Sequence, residues 1–229
     1  MKLGFLSDIH SNIHAFQTIL EYGEKLGIDE WFCCGDIVGY NAFPRECIAL
    51  LQKKHIQSVL GNHDWATVTG DTSGFNPYGV AGVQYSRKKL GKQELLFLKN
   101  LPQQMNFEKD DISFFLVHGS PRDPLSEYVY PESSESVLKS FAEVIDTDII
   151  VIGHTHVPMQ RQIKDTLFLN PGSVGQPRDG NCNASFLMYN TMEKKYFLYR
   201  VVYDVQAAAD ANKKNELPDF LAERLFLGR

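Results

Sequence analysis

The 229-residue chain is long enough for one domain with a packed core, and with 43% hydrophobic and 22% charged residues it lacks the composition of a disordered protein. Its formal net charge is −5 and its longest basic run is Arg87-Lys88-Lys89, which argues against a nucleic-acid-binding surface. Four cysteines without CxxC spacing, no signal-peptide pattern and no apolar run of about 18 residues predict a cytoplasmic protein that does not span a membrane.

The first half of the chain alternates strand patterns with helix patterns. Residues 2–6 form an apolar run typical of a strand, and apolar residues then recur at helical spacing from Ile13 to Leu26. The unit repeats with a strand at 30–34, a helix from about Arg45 and a strand at 57–60. This alternation predicts crossover connections, a parallel sheet and one α/β domain over residues 1–229.

The rest of the chain mixes loops, helices and strands. Residues 67–78 are rich in Gly, Thr, Ser, Asn and Pro and predict a loop that borders the site. A helix is predicted over 80–101, where Pro102 ends it, and another over 133–145. The remaining runs predict strands at 112–117, 149–152, 167–169, 185–189 and 196–202 and helices at 207–213 and 219–226. The last two strands are expected to pair as an antiparallel hairpin.

Side chains able to bind metals follow almost every predicted strand in the first two thirds of the chain. They are Asp8, His10, Asp36, Asn62, His63, His118, His154 and His156. Each group alone also fits a structural role, such as a tight turn, a helix cap or a solvent-facing histidine. Strand carboxyl ends face the ligand crevice of an open α/β sheet, so these side chains are expected to converge.

The composition of this set favours two metal ions. Two carboxylates, one amide oxygen and several imidazoles are enough for two sites that share a carboxylate. A mixed nitrogen and oxygen set without thiolate suits Mn, Fe, Zn, Co or Ni better than Mg or Ca. Two such ions bind a phosphoryl oxygen and activate a bridging water as hydroxide, so the predicted chemistry is hydrolysis of a phosphate ester.

The motifs D-x-H, G-D, G-N-H-D, H and G-H-x-H occur in this order between residues 8 and 156, and the Asn170-Pro-Gly-Ser stretch follows them. The chain thereby resembles the calcineurin-like metallophosphoesterases, in particular their small bacterial and archaeal phosphodiesterase-like branch. The resemblance implies an α/β fold in the form of a four-layer α/β/β/α sandwich, with two mixed sheets flanked by helices.

The resemblance also implies roles for the polar residues. Three ligands are assigned to each of two metals, with Asp36 as the bridge between them: Asp8, His10 and His156 for one metal, and Asn62, His118 and His154 for the other. His63 is expected to face the substrate, where it stabilises the phosphoryl group or protonates the leaving oxygen.

One departure bears on the substrate. Protein phosphatases of this family carry an Asp-Arg pair after the G-D motif, whereas Gly39-Tyr40 stands here, which argues against protein phosphatase activity. Candidate phosphate contacts are Asn12, Arg122 and Arg178, each of which equally fits a structural role. The leading hypothesis is hydrolysis of a small-molecule phosphodiester, of nucleotide type. The alternatives are a phosphomonoesterase, a dinucleoside polyphosphate hydrolase and a non-catalytic binding module.

Overall fold

The computed structural model describes residues 1–229 as ten strands and eight helices. The strands are β1 (Lys2–Leu6), β2 (Glu30–Cys33), β3 (Gln57–Ser58), β4 (Gln104–Lys109), β5 (Ile112–Val117), β6 (Ile149–Val151), β7 (Met159–Ile163), β8 (Thr166–Asn170), β9 (Ala184–Asn190) and β10 (Lys195–Val201). The helices are α1 (Ile13–Leu26), α2 (Pro44–Lys53), α3 (Asn62–Thr69), α4 (Pro77–Lys89), α5 (Lys92–Lys99), α6 (Glu135–Ala142), α7 (Val205–Lys214) and α8 (Asp219–Leu227).

The strands form two mixed five-stranded sheets. The order is β10-β9-β1-β2-β3 in the first sheet and β4-β5-β6-β8-β7 in the second. Parallel strands lie at one side of the first sheet, β1-β2-β3, and in the middle of the second, β5-β6-β8. The remaining strands pair antiparallel. The parallel strands therefore bring their carboxyl ends to a common edge of each sheet.

Alternating side chains give each sheet an inner and an outer face. On the inner faces, the ring centroid of Phe5 lies 5.7 Å from that of Phe114, and Phe32 lies 4.2 Å from Phe107. These contacts join β1 and β2 of the first sheet to β4 and β5 of the second. The two sheets therefore pack face to face through a buried aromatic layer.

Helices cover both outer faces. On the first sheet, Leu6 belongs to a buried cluster with Phe16 of α1, Ile48 of α2 and Leu225 of α8. On the second sheet, the outward-facing residues of β5 and β6 pack with residues of α6. The four-layer α/β/β/α sandwich with two mixed sheets is thus confirmed.

The helices around the predicted loop differ from the sequence prediction. Helix α3 occupies 62–69, so the loop is limited to 70–76, and α4 already begins at Pro77 with the Asn76 side chain accepting hydrogen bonds from Tyr78 N and Gly79 N. The predicted helix over 80–101 is two helices that break at Leu90-Gly91. The Asn76-Pro77 pair, which the sequence analysis included in the loop, is the N-cap and first residue of α4. Within this helix a Cβ at Gly82 would lie 2.3 Å from Tyr40 N, so close packing requires glycine there.

The sequence analysis did not predict strands β4 and β7, which are the two edge strands of the second sheet. In β4 every second residue is exposed, and β7 has the polar sequence Met-Gln-Arg-Gln-Ile. Edge strands bury less surface than central strands, which weakens the apolar pattern on which the sequence prediction depended.

None of the helices combines the length and hydropathy that a membrane crossing requires. The four cysteines are free thiols. Cys33, Cys34 and Cys47 are buried, whereas Cys182 is partly exposed.

Candidate metal centre

The polar residues predicted from the strand ends lie together in the structure. Asp8, Asp36, His118 and His154 each follow the carboxyl end of a strand by one to three residues, and Asn62 begins α3 after β3. Apart from Asn62, which is partly exposed, all the predicted metal ligands are buried. The two sheets therefore meet at one edge around a shared polar cluster.

One group of possible ligands consists of Asp8, His10 and His156, whose donor atoms lie within 4.8 Å of one another. His156 Nε2 lies 3.2 Å from Asp8 Oδ1 and 3.1 Å from His10 Nε2, and Asp8 Oδ1 has no hydrogen-bond partner. Two imidazoles and a carboxylate thus point at one small volume.

A second group consists of Asp36, His118 and His154. His118 Nε2 lies 3.0 Å from His154 Nδ1 and 2.9 Å from Asn62 Oδ1. Asp36 stands between the two groups, because its Oδ2 atom is 3.5 Å from His10 Nε2 and 3.4 Å from His118 Nε2.

In each of the four ligand histidines, the ring nitrogen that faces away from the cluster lies near a backbone carbonyl oxygen. Nδ1 lies 3.0 Å from Val38 O in His10, 2.8 Å from Cys34 O in His118 and 2.5 Å from Gln176 O in His156, and Nε2 of His154 lies 3.3 Å from Ser126 O. An N–H that donates outward leaves the inner nitrogen as a lone pair, the form in which histidine binds metal. The donor set therefore fits divalent metal cations.

The charges of the cluster also indicate a cation. Burial raises the pKa of Asp8 and Asp36, but the neighbouring histidines outweigh it and hold both carboxyl groups well below their usual range. Burial lowers the pKa of His154 to about 3 and also lowers that of His10 and His156. His118 is the exception: Asp36 and Asp8 overcome burial and raise its pKa to about 9. The two carboxylates thus attract a positive charge.

The backbone is unusual at five of the predicted ligands. Their φ angles lie in the left-handed region: 54° at Asp8, 46° at His10, 54° at Asp36, 66° at His154 and 60° at His156. Residues with a Cβ rarely adopt this conformation, and such residues cluster at functional sites. The conformation aims the side chains of successive strand-end loops at a common point.

His63 lies beside the two groups. Its ring centroid is 4.5 Å from that of Tyr40, 4.7 Å from His10 and 4.7 Å from Phe75, and its Nδ1 has no hydrogen-bond partner. Burial lowers its pKa to about 4. The donor atoms of His10, Asp36 and His63 also lie within 4.8 Å of one another, so a ligand role for His63 is a second interpretation beside the predicted substrate contact.

A cavity of about 220 Å³ opens over the centre. It is lined by Tyr40, Asn62, His63, Ser73, Gly74, Phe75, Asn76, Ser126, Tyr128 and His154. The ring of Tyr128 is stacked on His154, with centroids 3.8 Å apart and an angle of 23° between the planes. The sequence prediction named neither Tyr128 nor Phe75, although both belong to polar, turn-rich segments.

The three predicted phosphate contacts have different surroundings. Asn12 caps α1 by accepting from Ala15 N at 3.1 Å, and its amide donates to Gly175 O and Tyr203 Oη, so it is fully used inside the fold. This geometry does not support Asn12 as a substrate contact.

The two arginines also differ. Arg122 is ion-paired with Glu127 and lies over the ring of Phe141, and it does not line the cavity. Arg178 is the predicted contact that the structure brings to the centre: it donates to Tyr40 Oη at 3.3 Å, and its Nε is buried without a partner.

Comparisons with known proteins agree with this geometry. The family model described as "Calcineurin-like phosphoesterase superfamily domain" matches residues 1–194. An uncharacterized protein of Methanocaldococcus jannaschii is 35% identical over 244 residues, which cover 99% of this chain and 98% of the relative. The phosphodiesterase YfcE of Escherichia coli is 26% identical over 185 residues, which cover 79% of this chain and 83% of YfcE.

Solved structures are similar over the full length. A metallophosphoesterase from Sphaerobacter thermophilus has a TM-score of 0.87 at 31% identity and covers 100% of this chain and 99% of its own. A hypothetical protein from Pyrococcus horikoshii has the same fold, with a TM-score of 0.91 at 23% identity and coverage of 100% and 98%. The chain belongs to the calcineurin-like phosphoesterase superfamily and is a phosphoric ester hydrolase.

Proposed function

We propose that this hydrolase is a dinuclear metal-dependent phosphodiesterase that cleaves a small-molecule diester, of nucleotide type. The position of Asp36 carries the dinuclear part of the proposal. One carboxylate oxygen lies at 3.5 and 3.4 Å from imidazole nitrogens of the two ligand groups, which suits a carboxylate shared by two ions. The other oxygen accepts from His63 N at 2.8 Å, so the carboxylate is held in a fixed orientation.

Two ions in these groups would polarise the phosphoryl group and lower the pKa of water for attack on phosphorus. Asp8, His10 and His156 would hold one ion, and Asn62, His118 and His154 the other, with Asp36 between them. The protein's own contribution is orientation, because carbonyl hydrogen bonds fix each imidazole with its lone pair inward. Manganese, iron, zinc, cobalt or nickel suits this donor set.

The walls of the cavity favour a diester. Phe75 packs on His63, and Tyr128 packs on His154, so aromatic surface lies directly beside the proposed metal ligands. A diester carries a second organic group that such walls can contact, whereas a simple monoester does not. A nucleobase or another flat group would stack on the half-exposed ring of Tyr128.

The C-terminal helices form part of the same unit in this proposal. Ala208 of α7 and Leu225 of α8 belong to the buried cluster that contains Phe16 of α1, which supports one domain over residues 1–229. A cytoplasmic location stays a prediction from the sequence.

The direct experiment compares two chromogenic esters after metal reconstitution. Bis(p-nitrophenyl) phosphate tests diester hydrolysis, p-nitrophenyl phosphate tests monoester hydrolysis, and a phosphoserine peptide tests the role of Gly39-Tyr40. We expect the highest kcat/KM on the diester and no peptide dephosphorylation. Faster turnover of the monoester would replace the proposal with a phosphomonoesterase, and inactivity on every ester with both metals bound would favour a binding module.

A further inference from the structure

Two arginines lie over one tyrosine at the rim of the metal centre. The guanidinium carbon of Arg178 is 5.7 Å from the centroid of the Tyr40 ring, and that of Arg224 is 5.6 Å from the same centroid. The Tyr40 ring is itself 4.7 Å from the ring of His10 and 4.5 Å from that of His63. The ring of Tyr40 therefore lies between this pair of cations and the histidines His10 and His63 of the candidate metal centre.

Neither arginine has a carboxylate side chain within 4.0 Å, in contrast to the ion pairs that Arg45, Arg122 and Arg200 form with Glu94, Glu127 and Asp179. Arg178 donates to Tyr40 Oη and Gln176 Oε1, while its Nε is buried without a partner. Arg224 uses its Nε to bind the backbone oxygen of Arg229, and its two terminal nitrogens make no hydrogen bond. Several N–H donors of this pair are thus available to an anion.

No acidic side chain is paired with either arginine, and the hydrogen bond of Arg224 goes only to the oxygen of Arg229. Burial, and then repulsion from Arg178, lowers the pKa of Arg224 to about 10. The charge of Arg178 also contributes to the lowered pKa of His10, His63 and His156. A bound anion would relieve the repulsion between two cations that lie together without an acidic side chain beside them.

Helix α8 delivers Arg224 to this position. Leu221, Ala222 and Leu225 are buried beneath the helix, and the ring of Phe220 is stacked on Tyr78 of α4, with centroids 4.3 Å apart. The family match ends at residue 194, so α8 lies outside the stretch that the family model covers. Arg224 therefore lies at the rim of the metal centre although it belongs to none of the sequence motifs that contain the predicted metal ligands.

We propose that Arg178 and Arg224, which both lie over the ring of Tyr40, form a subsite for a second anionic group of the substrate, namely a phosphate separate from the one that is cleaved. This inference rests on the proposed phosphodiesterase function and narrows its substrate class to phosphate esters that carry a further phosphate. The competing explanation is that Arg224 serves only to hold the chain near Arg229.

The test uses two series of non-hydrolysable ligands on the metal-loaded full chain. The first contains α,ω-alkane bisphosphonates of increasing spacer length, and the second contains alkylphosphonates of the same lengths. In both series one phosphonate group is expected to bind at the metal centre. In the bisphosphonate series the second phosphonate group can then contact Arg178 and Arg224. Dissociation constants are measured by calorimetry on the wild type, Arg224→Gln, Arg224→Lys and the control Lys213→Gln, which removes one exposed positive charge from α7.

We expect one spacer length at which the bisphosphonate binds the wild type about tenfold more tightly than its monophosphonate, as hydrogen bonds to a charged group typically provide. Arg224→Gln should remove most of this advantage, Arg224→Lys should keep part of it, and Lys213→Gln should keep all of it. No advantage at any length in the wild type, or an equal loss for both series in Arg224→Gln, overturns the subsite. The wild-type comparison needs no variant, so it holds even if Arg224→Gln does not fold.

These binding measurements separate the two proposals. If no ester is hydrolysed, the phosphodiesterase proposal fails, while the difference between the ligand series still reports on the arginines. If diesters are hydrolysed and the ligand series do not differ, the subsite alone fails.

Discussion

The Nε2 atoms of His10 and His156 lie 3.1 Å apart in the protein interior, while the Nδ1 atom of each ring meets a backbone carbonyl. If both Nδ1 atoms carry the proton, two lone pairs face each other across this distance. A proton between them is disfavoured, because burial lowers the pKa of both rings. A metal cation that accepts both lone pairs resolves the conflict, so the fold should depend on its metals.

Removal of the metals should therefore lower the unfolding temperature. A ligand present at a thousand times its dissociation constant stabilises by about 4 kcal/mol, which corresponds to a shift of about 10 °C for a chain of this size. Calorimetry before and after chelation, with metal analysis, checks this, and added Mn²⁺ or Zn²⁺ should restore the original value. An unchanged unfolding temperature after complete metal removal would contradict a metal-dependent core.

Replacement of the shared carboxylate should have the largest single effect on activity. Asp36→Asn is expected to reduce kcat on bis(p-nitrophenyl) phosphate by at least about a thousandfold, because loss of both ions removes several kcal/mol of transition-state stabilisation. Asn62→Ala should reduce the content of one ion and cost less, and the exposed Asp71→Asn should have no effect. Two ions per chain with normal turnover in Asp36→Asn would show that Asp36 is not a bridge.

The strand-end residues were predictable from the sequence because a local pattern defines them. A short apolar run that stops at Asp8, Asp36 or His118 specifies both the strand and the position of the side chain at its end. The left-handed φ angles of Asp8 and Asp36 were not predictable, because they depend on the packing of the loops against one another.

Features that depend on long-range pairing were also missed. Tyr128 meets His154, and Arg224 meets Tyr40, across separations along the chain that no local periodicity reports. The long-range contacts of Asn12 belong here as well, since its side-chain amide donates to Gly175 O and Tyr203 Oη in distant segments. Residue type and position at a strand end were therefore sufficient for the proposed ligands but not for the walls of the cavity.

The close approach of α4 to the Tyr40 loop supplies a third prediction. A Cβ at Gly82 would lie 2.3 Å from Tyr40 N and 2.7 Å from Tyr40 Cα, and backbone atoms cannot easily move away. Gly82→Ala should destabilise the protein by about 1–3 kcal/mol and lower kcat/KM, because Tyr40 packs against His63. Urea unfolding and diester kinetics measure both effects. Gln84→Ala, at an exposed position of the same helix, is the control, and equal behaviour of the two variants would contradict the packing argument.

The last prediction concerns the chemical role of His63. The sequence alone allowed a proton donor to the leaving group, for which an imidazole pKa near its ordinary value would be suited. In the structure, burial lowers the pKa of His63 to about 4, and the nearby charge of Arg178 acts in the same direction. A neutral imidazole at pH 7 donates a hydrogen bond to a phosphoryl oxygen more readily than it transfers a proton.

His63→Ala should therefore lower kcat to a similar degree on esters with good and poor leaving groups. A loss of about 10²- to 10³-fold is typical for one donor that stabilises developing charge. Kinetics on a nitrophenyl diester and on an alkyl diester, with metal analysis of the variant, distinguish the roles. A much larger loss on the alkyl ester, with both metals retained, would identify His63 as a general acid. Loss of one ion would instead identify it as a ligand, as the proximity of its ring to Asp36 and His10 also permits.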